Sequence, residues 1–566
     1  MNAERLLEAF DRLGDDPETV QQFRKLVIGL AMSGKLTTPD DVVIDPASML
    51  EQIEKKKGLL LRDDARRKQS SSTALSQADL PQGFNGPANF TRLGYIARIE
   101  KGLTGIMKAV PGPYPLVVTA ENRASCDHFD FDGAAAIVPL VSSAGHGKAS
   151  LQRLHYQEGK FALGSILAAI FPYVPGLISA RFLFEYLTSF KDELLVSQMI
   201  GTANVTLSVG KLADVPVPLI PPSVQGKVDR LMALCDRLEG LRARREEARD
   251  RFSAASLARL NEPDPETFQT DVRFVLKSLP SLTARADQIN ALRQTILRLA
   301  VRGELVSQDS SDEPASKLLS RIEEKRAKLF KSGYPNPDEA RTQIKKLEEQ
   351  SVPDGLDVLP IGWAWATLLQ CSALVIDCKN KTAPYSSSGI RLIRTTNVRD
   401  GRMNLNDQKF VDQKIYEIWS ARCTPEPGDI LITREAPMGE VCLIPAGEQI
   451  CLGQRMMLAR LVPDTIDRNF MLYSLRDPKL MDRVQDKPIG ATVQHLRVGG
   501  VETLLIPVPP LAEQRRIVAK LDAMMALCDR LEASLATTAE ARRRLLDALL
   551  AEAVAPWDDR ELEAAE

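Results

Sequence analysis

The sequence predicts an α+β protein: two globular mixed α/β segments carried on long, coiled-coil-like helices, with the whole plan written twice along the chain. Two observations predict it. The octapeptide MALCDRLE stands at 232–239 and again at 525–532, and eight identical residues so far apart mark a duplicated unit. Around the second copy, Ile517, Leu521, Met524, Cys528, Leu531 and Leu535 alternate spacings of three and four, which is the a/d stripe of a coiled coil. At 566 residues the chain is also too long for one core.

Each half opens with two helices. FRKLVIGLAMSGKL at 23–36 matches LRQTILRLAVRGEL at 292–305, which sets Phe23, Val27 and Leu30 against Leu292, Ile296 and Leu299. Gly34 and Gly303 fall where a helix C-cap glycine belongs. ASMLEQIEKKK at 47–57 then matches ASKLLSRIEEKR at 315–326 with one insertion. The polar linkers KQSSSTALSQAD and KSGYPNPDEA follow, with the Ser, Pro and Gly content expected where one unit ends.

LPQGF at 80–84 is answered by LPIGW at 359–363, and Phe84, Trp363 and Trp365 read as core anchors at that junction. The globular segments carry short β-like runs, AAIVPLV and SILAAIF in the first, GDILIT and EVCLIP in the second, and have little similarity to each other. Each ends in a proline-rich strand exit, PVPLIPP at 216–222 or IPVPP at 506–510, followed by a long helix. The expected seam is Val228, Leu231, Cys235 and Leu238 in the first copy and Leu521, Met524, Cys528 and Leu531 in the second, continuing to Leu545 and Leu549. The first helix runs on into the charged LRARREEARDR at 241–251, which must be solvated or meet a polar partner. Between the proline pair and the octapeptide the first copy is five residues shorter, counted from Pro222 and Pro510, and that shortage is expected at the helix entrance. The divisions are 1–79, an N-terminal helical segment; 80–220, a first globular domain; 221–353, a central helical region; 354–508, a second globular domain; and 509–566, a C-terminal helix and tail.

Composition excludes several functions. Lys and Arg number 73 against 75 Asp and Glu, a net charge of −2, so the chain is no simple nucleic-acid-coating protein, although local basic patches remain open. No apolar run approaches the roughly 20 residues of a membrane span and no signal-peptide pattern is seen; a cytoplasmic protein without membrane contact is expected. Eight cysteines without C-x-x-C, and without clustering on the four histidines, indicate neither disulfides nor a metal site. SSAGHGKAS at 142–150 has Ser142 where a phosphate loop needs its first Gly, and Ala149 where Ser or Thr must reach Mg²⁺. Pro39, Asp40, Glu54 and Lys56 loosely fit a metal-dependent nuclease, yet Glu54 and Lys56 lie on a helix with repeated charges, which reads as a solvated face. No G-x-G-x-x-G occurs, and YPNPDEA lacks the adenine-methyltransferase arrangement. No catalytic residue is assigned.

Side chains suited to reading DNA are local. In the second segment Arg391, Arg394 and Arg399 cluster with Thr395, Thr396 and Asn397; Arg434 follows GDILIT, and Gln454 and Arg455 follow CLG. Arg can pair with guanine, Asn or Gln with adenine, and Thr can anchor phosphate. In the first segment the candidates are Ser142, Ser143, His146 and Lys148 in a glycine-rich loop, with Asn204 and Thr206. GTANVTLSVGKL at 201–212 parallels GATVQHLRVGGV at 490–501, which puts Thr206 and Ser208 opposite His495 and Arg497. Against this stand ordinary readings: exposed arginines decorate any surface, Thr395 suits a plain strand, and the paired tips suit β-turns.

PPLAEQRRIVAKLDAMMALCDRLEA at 509–533 and LRQTILRLAVRGELV at 292–306 resemble the helical regions of type I restriction-modification specificity subunits. IRTTNVRDGRMNL at 393–405, GDILITREAPMGEVCLIP at 428–445 and CLGQRMML at 451–458 resemble one class of that family's target-recognition domains, and GHGKASLQRLHYQEGKFALGSILAAI at 145–170 another. The resemblance implies a non-catalytic reader of double-stranded DNA. Its two target-recognition domains would bind the halves of a split, asymmetric sequence, and antiparallel helices would hold them in a pseudo-two-fold arrangement. It further implies two methylation subunits as partners, with restriction subunits joining through them, and places AdoMet, ATP and Mg²⁺ in those partners and no cofactor in this chain. The competing expectation is a coiled-coil scaffold with two protein-binding heads and no DNA; an enzyme with an unrecognised site is a third.

Overall fold

A computed structural model of the chain describes residues 17–39, 41–42, 44–61, 75–81, 87–143, 148–201, 205–262, 264, 266–485 and 495–554. Packing divides the chain into two units, Met1–Glu247 with Thr538–Glu566, and Ala248–Thr537. Phe84, His146 and Asn204, and the side chain of Leu549, lie outside the described residues. Among the described residues no helix is long and apolar enough to cross a membrane.

The first unit opens with helices α1 (Pro17–Met32) and α2 (Pro46–Leu61). Among the described residues its globular part holds ten strands: β1 (Phe90–Arg92), β2 (Ala97–Lys101), β3 (Tyr114–Val117), β4 (Ala124–Cys126), β5 (Phe131–Asp132), β6 (Ala135–Pro139), β7 (His155–Gln157), β8 (Lys160–Leu163), β9 (Leu167–Pro172) and β10 (Pro216–Pro218). Helix α3 (Ala180–Ser189) covers them, and helix α4 (Pro222–Asn261) follows. One sheet has the order β2-β9-β6-β7 and another β4-β3-β8-β5, with β3 and β8 parallel. The entering strand β1 pairs antiparallel with the leaving strand β10, so the domain closes where its two chain ends meet the helices. β6 and β9 are apolar along their whole length and fully buried, as strands covered on both faces must be.

The second unit holds helices α5 (Ala286–Val301) and α6 (Ala315–Lys331), strands β11 (Ala364–Thr367), β12 (Ser372–Asp377), β13 (Ile390–Ile393), β14 (Val398–Arg399), β15 (Arg402–Met403), β16 (Lys409–Val411), β17 (Ile430–Thr433), β18 (Val441–Leu443), β19 (Ile450–Leu452), β20 (Met456–Leu461) and β21 (Leu505–Val508), and helices α7 (Arg468–Leu475) and α8 (Leu511–Val554). Its main sheet has the order β12-β20-β17-β18, a smaller one β16-β13-β19 with β13 and β19 parallel, and β11 pairs antiparallel with β21. Strand for strand, the main sheet repeats the first unit's order of first, last, second, third. Domains dissimilar in sequence thus share one topology, and the α+β expectation holds.

The repeated octapeptide acquires a physical role. In the first unit Arg24 of α1 reaches Asp236 at 2.5 Å and Glu239 at 3.1 Å. In the second Arg293 of α5 reaches Asp529 at 2.6 Å and Glu532 at 2.8 Å. Arg24 and Arg293 hold the same place in the matched opening helices, and the bound acids are the Asp and Glu of MALCDRLE. Cys235 packs with Val20, Phe23, Leu26 and Leu30 of α1 and with Leu546. Cys528 shares a core with Leu292 and Ile296 of α5. Each octapeptide is therefore the dock for its own half's opening helix, with an apolar centre and an ionic edge.

This locates the seam. Val228 packs in the first unit's core with Phe182, Leu183 and Leu187 of α3, and Ile517 and Leu521 pack with Phe470 and Met471 of α7. Leu231, Leu238, Met524 and Leu531 are half-buried. The stripe meets helices of its own half before any other partner. The extension corrects by one residue: Leu545 is 42% exposed and Leu546 is the buried one.

The missing residues also fall elsewhere than expected. Buried Gln225 accepts from Ser179 N at 3.0 Å and donates to the carbonyls of Leu177 and Ile220, both at 2.7 Å. Buried Gln514 accepts from Asp467 N at 2.8 Å and donates to the Pro509 carbonyl at 2.9 Å. Ser179 and Asp467 are the N-caps of α3 and α7. The two glutamines are one element of the design, so both helix entrances are kept. Counted from them, the first copy is four residues shorter, and the loss lies just inside the helix. Four residues are about one α-helical turn, which explains why the stripe beyond keeps its face.

Candidate nucleic-acid interface

In the first unit β2 ends at Lys101, β6 ends at Pro139 and β9 begins at Leu167. Because β9 runs antiparallel to both neighbours, the loops at 102–112, 140–143 with 148–150, and 164–166 emerge at one end of the sheet. Bridges from Thr206 to Val141 and to Ile200 bring the 205–208 segment to the same end. Ser142, Ser143, Lys148 and Thr206 thus gather. In the second unit β12 ends at Asp377, β17 at Thr433 and β20 begins at Met456, and β20 again runs antiparallel to both. Leu496 N donates to the Arg434 carbonyl at 3.0 Å and Arg434 Nε to the Leu496 carbonyl at 3.1 Å, which ties the His495–Arg497 segment to that end. Equivalent ends of equivalent sheets therefore carry the candidates of both halves.

Around the second end lies a cavity of about 190 Å³ lined by Thr382, Tyr385, Arg394, Thr395, Gln454 and Arg455, among others. Gly453 is required here: a Cβ at that position would lie 2.6 Å from the Ile393 carbonyl oxygen. Arg455 beside it sits at φ +67°, a conformation that costs a non-glycine residue and persists only where the surroundings hold it. Its carbonyl accepts from Arg434 N at 2.9 Å. Thr382 Oγ1 donates to Gln454 Oε1 at 3.1 Å. Thr396 is exposed on the rim.

The arginines arrive already paired. Arg394 holds Asp407, Arg455 holds Glu435, and Arg391 holds Glu448. Phosphate in place of any of those carboxylates would keep the charges matched. Three of the chosen positions have partners within their own domain. Asn397 is 3% exposed and spends its amide on Arg394 N and on the carbonyls of Asn404 and Asp407; it builds the turn that presents Arg394. Arg399 folds back on the carbonyls of Thr395 and Val398. The hydroxyls of Ser142 and Ser143 bind the carbonyls of Lys148 and Ser150 at 2.6 and 3.2 Å, so they shape the loop.

Exposed Lys379, Asn380, Lys381 and Thr382 share the second end and are absent from the residues chosen by sequence. Lys379 lies 4.8 Å from the Trp419 ring. The signal was present: the run CKNKT directly follows the apolar strand SALVID. Lys101 and Lys108 are exposed at the corresponding end of the first unit. Of the framework aromatics, Trp363 is buried and donates to Glu513 Oε2 at 3.1 Å, whereas Trp365 is half-buried and donates to the Asp357 carbonyl at 3.0 Å. The separation of cysteines from histidines is also corrected: Cys126 Sγ and His128 Nδ1 are 3.4 Å apart. Glu54 and Lys56 are exposed on α2, the solvated face expected of them.

Residues 392–541 match the family model described as type I restriction modification DNA specificity domain. The chain is 25% identical over 570 residues to the specificity subunit of the type I restriction enzyme EcoAI of Escherichia coli, covering 94% of this chain and 93% of that protein. It is 25% identical over 590 residues to the EcoEI specificity subunit of the same organism, again covering 94% and 93%. A solved chain described under complex assembly and conformational transition of the type I R-M system is 18% identical, with a TM-score of 0.48, covering 82% of this chain and 97% of that one. The resemblance to type I restriction-modification specificity subunits carried by the sequence motifs is borne out by the family model and by the two Escherichia coli relatives.

Proposed function

We propose that this chain gives a type I restriction-modification complex its DNA sequence specificity by reading a bipartite, asymmetric site, one half with each globular domain. The observation that carries this reading is the recurrence, on two domains of one topology, of polar and cationic loops at the same end of the main sheet. A duplicated frame with divergent loops suits two different half-sites. Bases would be read by groups of the Arg394, Gln454 and Arg455 kind, while Lys101, Lys108, Lys379 and Lys381 would neutralise phosphates. The helices would dock two methylation subunits and, through them, restriction subunits; AdoMet, ATP and Mg²⁺ would reside in those partners. A scaffold with two protein-binding heads has no need of exposed lysines grouped at both loop ends.

Binding of the purified chain, with its methylation subunits, to DNA carrying the site tests the reading. Affinity should fall linearly in log–log form with salt and exceed that for random DNA by about 10³ or more. Arg394→Ala should weaken binding to the site by about 1–3 kcal/mol and leave random DNA little affected. Salt-independent binding, or equal affinity for every sequence, would overturn the proposal.

A further inference from the structure

We propose that the 102–112 loop of the first globular domain is a wedge whose Met107 and Leu103 side chains enter DNA between stacked bases, an inference that rests on the DNA-reading function proposed above. The loop leaves strand β2 at the sheet end that gathers the candidate residues, and its large apolar side chains are turned to solvent. Met107 is 97% exposed, Leu103 73% and Val110 56%. Several such groups in one short loop of a charged surface mark a place that meets a partner. Lys101 and Lys108, both exposed, flank them. The partner that suits this pattern is a polyanion with an apolar interior, and duplex DNA, with its phosphates outside and its stacked bases within, is one.

A wedge must be held from behind, and this loop is fixed at both ends. Gly102 N donates to the Leu167 carbonyl at 2.9 Å, Thr104 N to the Leu163 carbonyl at 3.0 Å, and Ser165 N to the Thr104 carbonyl at 3.0 Å. A Cβ on Gly102 would lie 2.1 Å from the Gly164 carbonyl oxygen, so this close approach requires glycine. Buried Thr104 adds a bond from its hydroxyl to Asp130 Oδ2 at 2.8 Å. At the far end Asp127 N donates to the Val110 carbonyl at 2.9 Å, and Ala109 packs against Leu116, Cys126 and Ala162. Between the anchors a single 3₁₀ turn, Ile106–Lys108, is closed by Lys108 N on the Gly105 carbonyl at 2.9 Å and carries Met107 at its tip. Apolar groups on so fixed a backbone have little freedom left to lose on insertion.

The chemistry of the tip favours insertion over the reading of base edges. Leu103 has no hydrogen-bonding group in its side chain and Met107 only a weakly accepting sulfur, so neither can follow the donor and acceptor code of the grooves. Leucine and methionine are among the side chains that part base steps and kink a duplex, with the unstacking cost offset by the protein surface that the bend brings into contact. The corresponding loop after β12 exposes Lys379, Asn380 and Lys381 instead. The distortion therefore belongs to the half-site of the first domain.

The test uses the full chain with its methylation subunits, bound to duplexes of the recognised site in which 2-aminopurine is scanned through both halves. A fluorescence rise is expected at one step, away from the base to be methylated, in the half-site that an exchange of residues 354–508 leaves unchanged. Met107→Ala and Met107→Gln should lose the rise and Met107→Leu should keep it, all with unchanged circular dichroism because the side chain is exposed. Met107→Ala should weaken binding to the site about tenfold, and less on a duplex mismatched at that step, whose bases part without help. Sequence-specific binding with no such rise, or a rise that survives Met107→Gln, would overturn the wedge and leave the reading function standing. Affinity lost when thymine is replaced by uracil, again with no rise, would make the loop a reader of methyl groups in the groove and overturn the wedge as well. Binding without sequence preference would overturn both.

Discussion

Removal of the arginine that clamps each octapeptide should hurt the two halves unequally. In the second half, Arg293→Ala breaks pairs with Asp529 and Glu532, whose side chains are each 49% exposed. Exposed pairs are worth about 0.2–1 kcal/mol each, so the loss should be about 1 kcal/mol. Arg24→Ala breaks the matching pairs with Asp236 and Glu239, and it also uncovers Glu185, 3.6 Å away with a side chain 1% exposed. Burial pushes the Glu185 carboxyl above the usual carboxylate range, against the pull of Arg181 and Arg24. Arg181 remains at 2.7 Å, so the expected extra cost is about 1–2 kcal/mol, below the 3–5 kcal/mol of a fully stranded buried charge. Tyr473 stands where Glu185 does on the matched helix, which is why the second half is spared. Urea unfolding gives the total, and amide exchange resolved over Pro17–Met32 and Ala286–Val301 assigns it to each half, since a chain of two units need not unfold in one step. Glu185→Gln should restore about 1 kcal/mol in the Arg24→Ala background. Equal losses in the two halves, or no relief from Glu185→Gln, would refute the reasoning.

Two further outcomes follow from buried groups. Gln225→Ala strands one N–H and two carbonyls and should cost about 2–4 kcal/mol, and Gln514→Ala, with fewer bonds to lose, somewhat less; urea midpoints measure both, and a neutral Gln225→Ala would remove it from the helix entrance. Burial, helped by Arg123 and Arg153, lowers the His155 pKa from 6.5 to about 4. Arg123 Nη1 faces its Nδ1 at 3.1 Å. Between those values the unfolded chain binds more protons, so this stability is complete above pH 6.5 and is lost as pH falls toward 4, by up to about 3 kcal/mol. His155→Gln should flatten the pH dependence in that window, and an unchanged slope would exclude His155 as its source.

Much of the frame was legible in the sequence because it is written twice: matched helices, matched proline exits and one octapeptide give period and direction. The partner of the stripe was not legible, since an a/d pattern states that a face is buried and not what covers it; Cys235 and Cys528 turn to α1 and α5. The shared topology of the globular domains stayed hidden because their strands are two to six residues long and paired across distant segments, so no local pattern encodes the order β2-β9-β6-β7. Asn397 was misread for a chemical reason: the amide that can read adenine can equally close a turn, and burial decides between them. Lys379 and Lys381 needed only the strand end before them to be noticed.

The most direct measurement is the pattern of methylated DNA in a host expressing this chain with its methylation subunits, before and after residues 354–508 are exchanged for those of a relative. The account predicts one split, asymmetric motif, of which the exchange alters one half and leaves the other unchanged. No sequence-specific methylation, or a change in both halves at once, would contradict it.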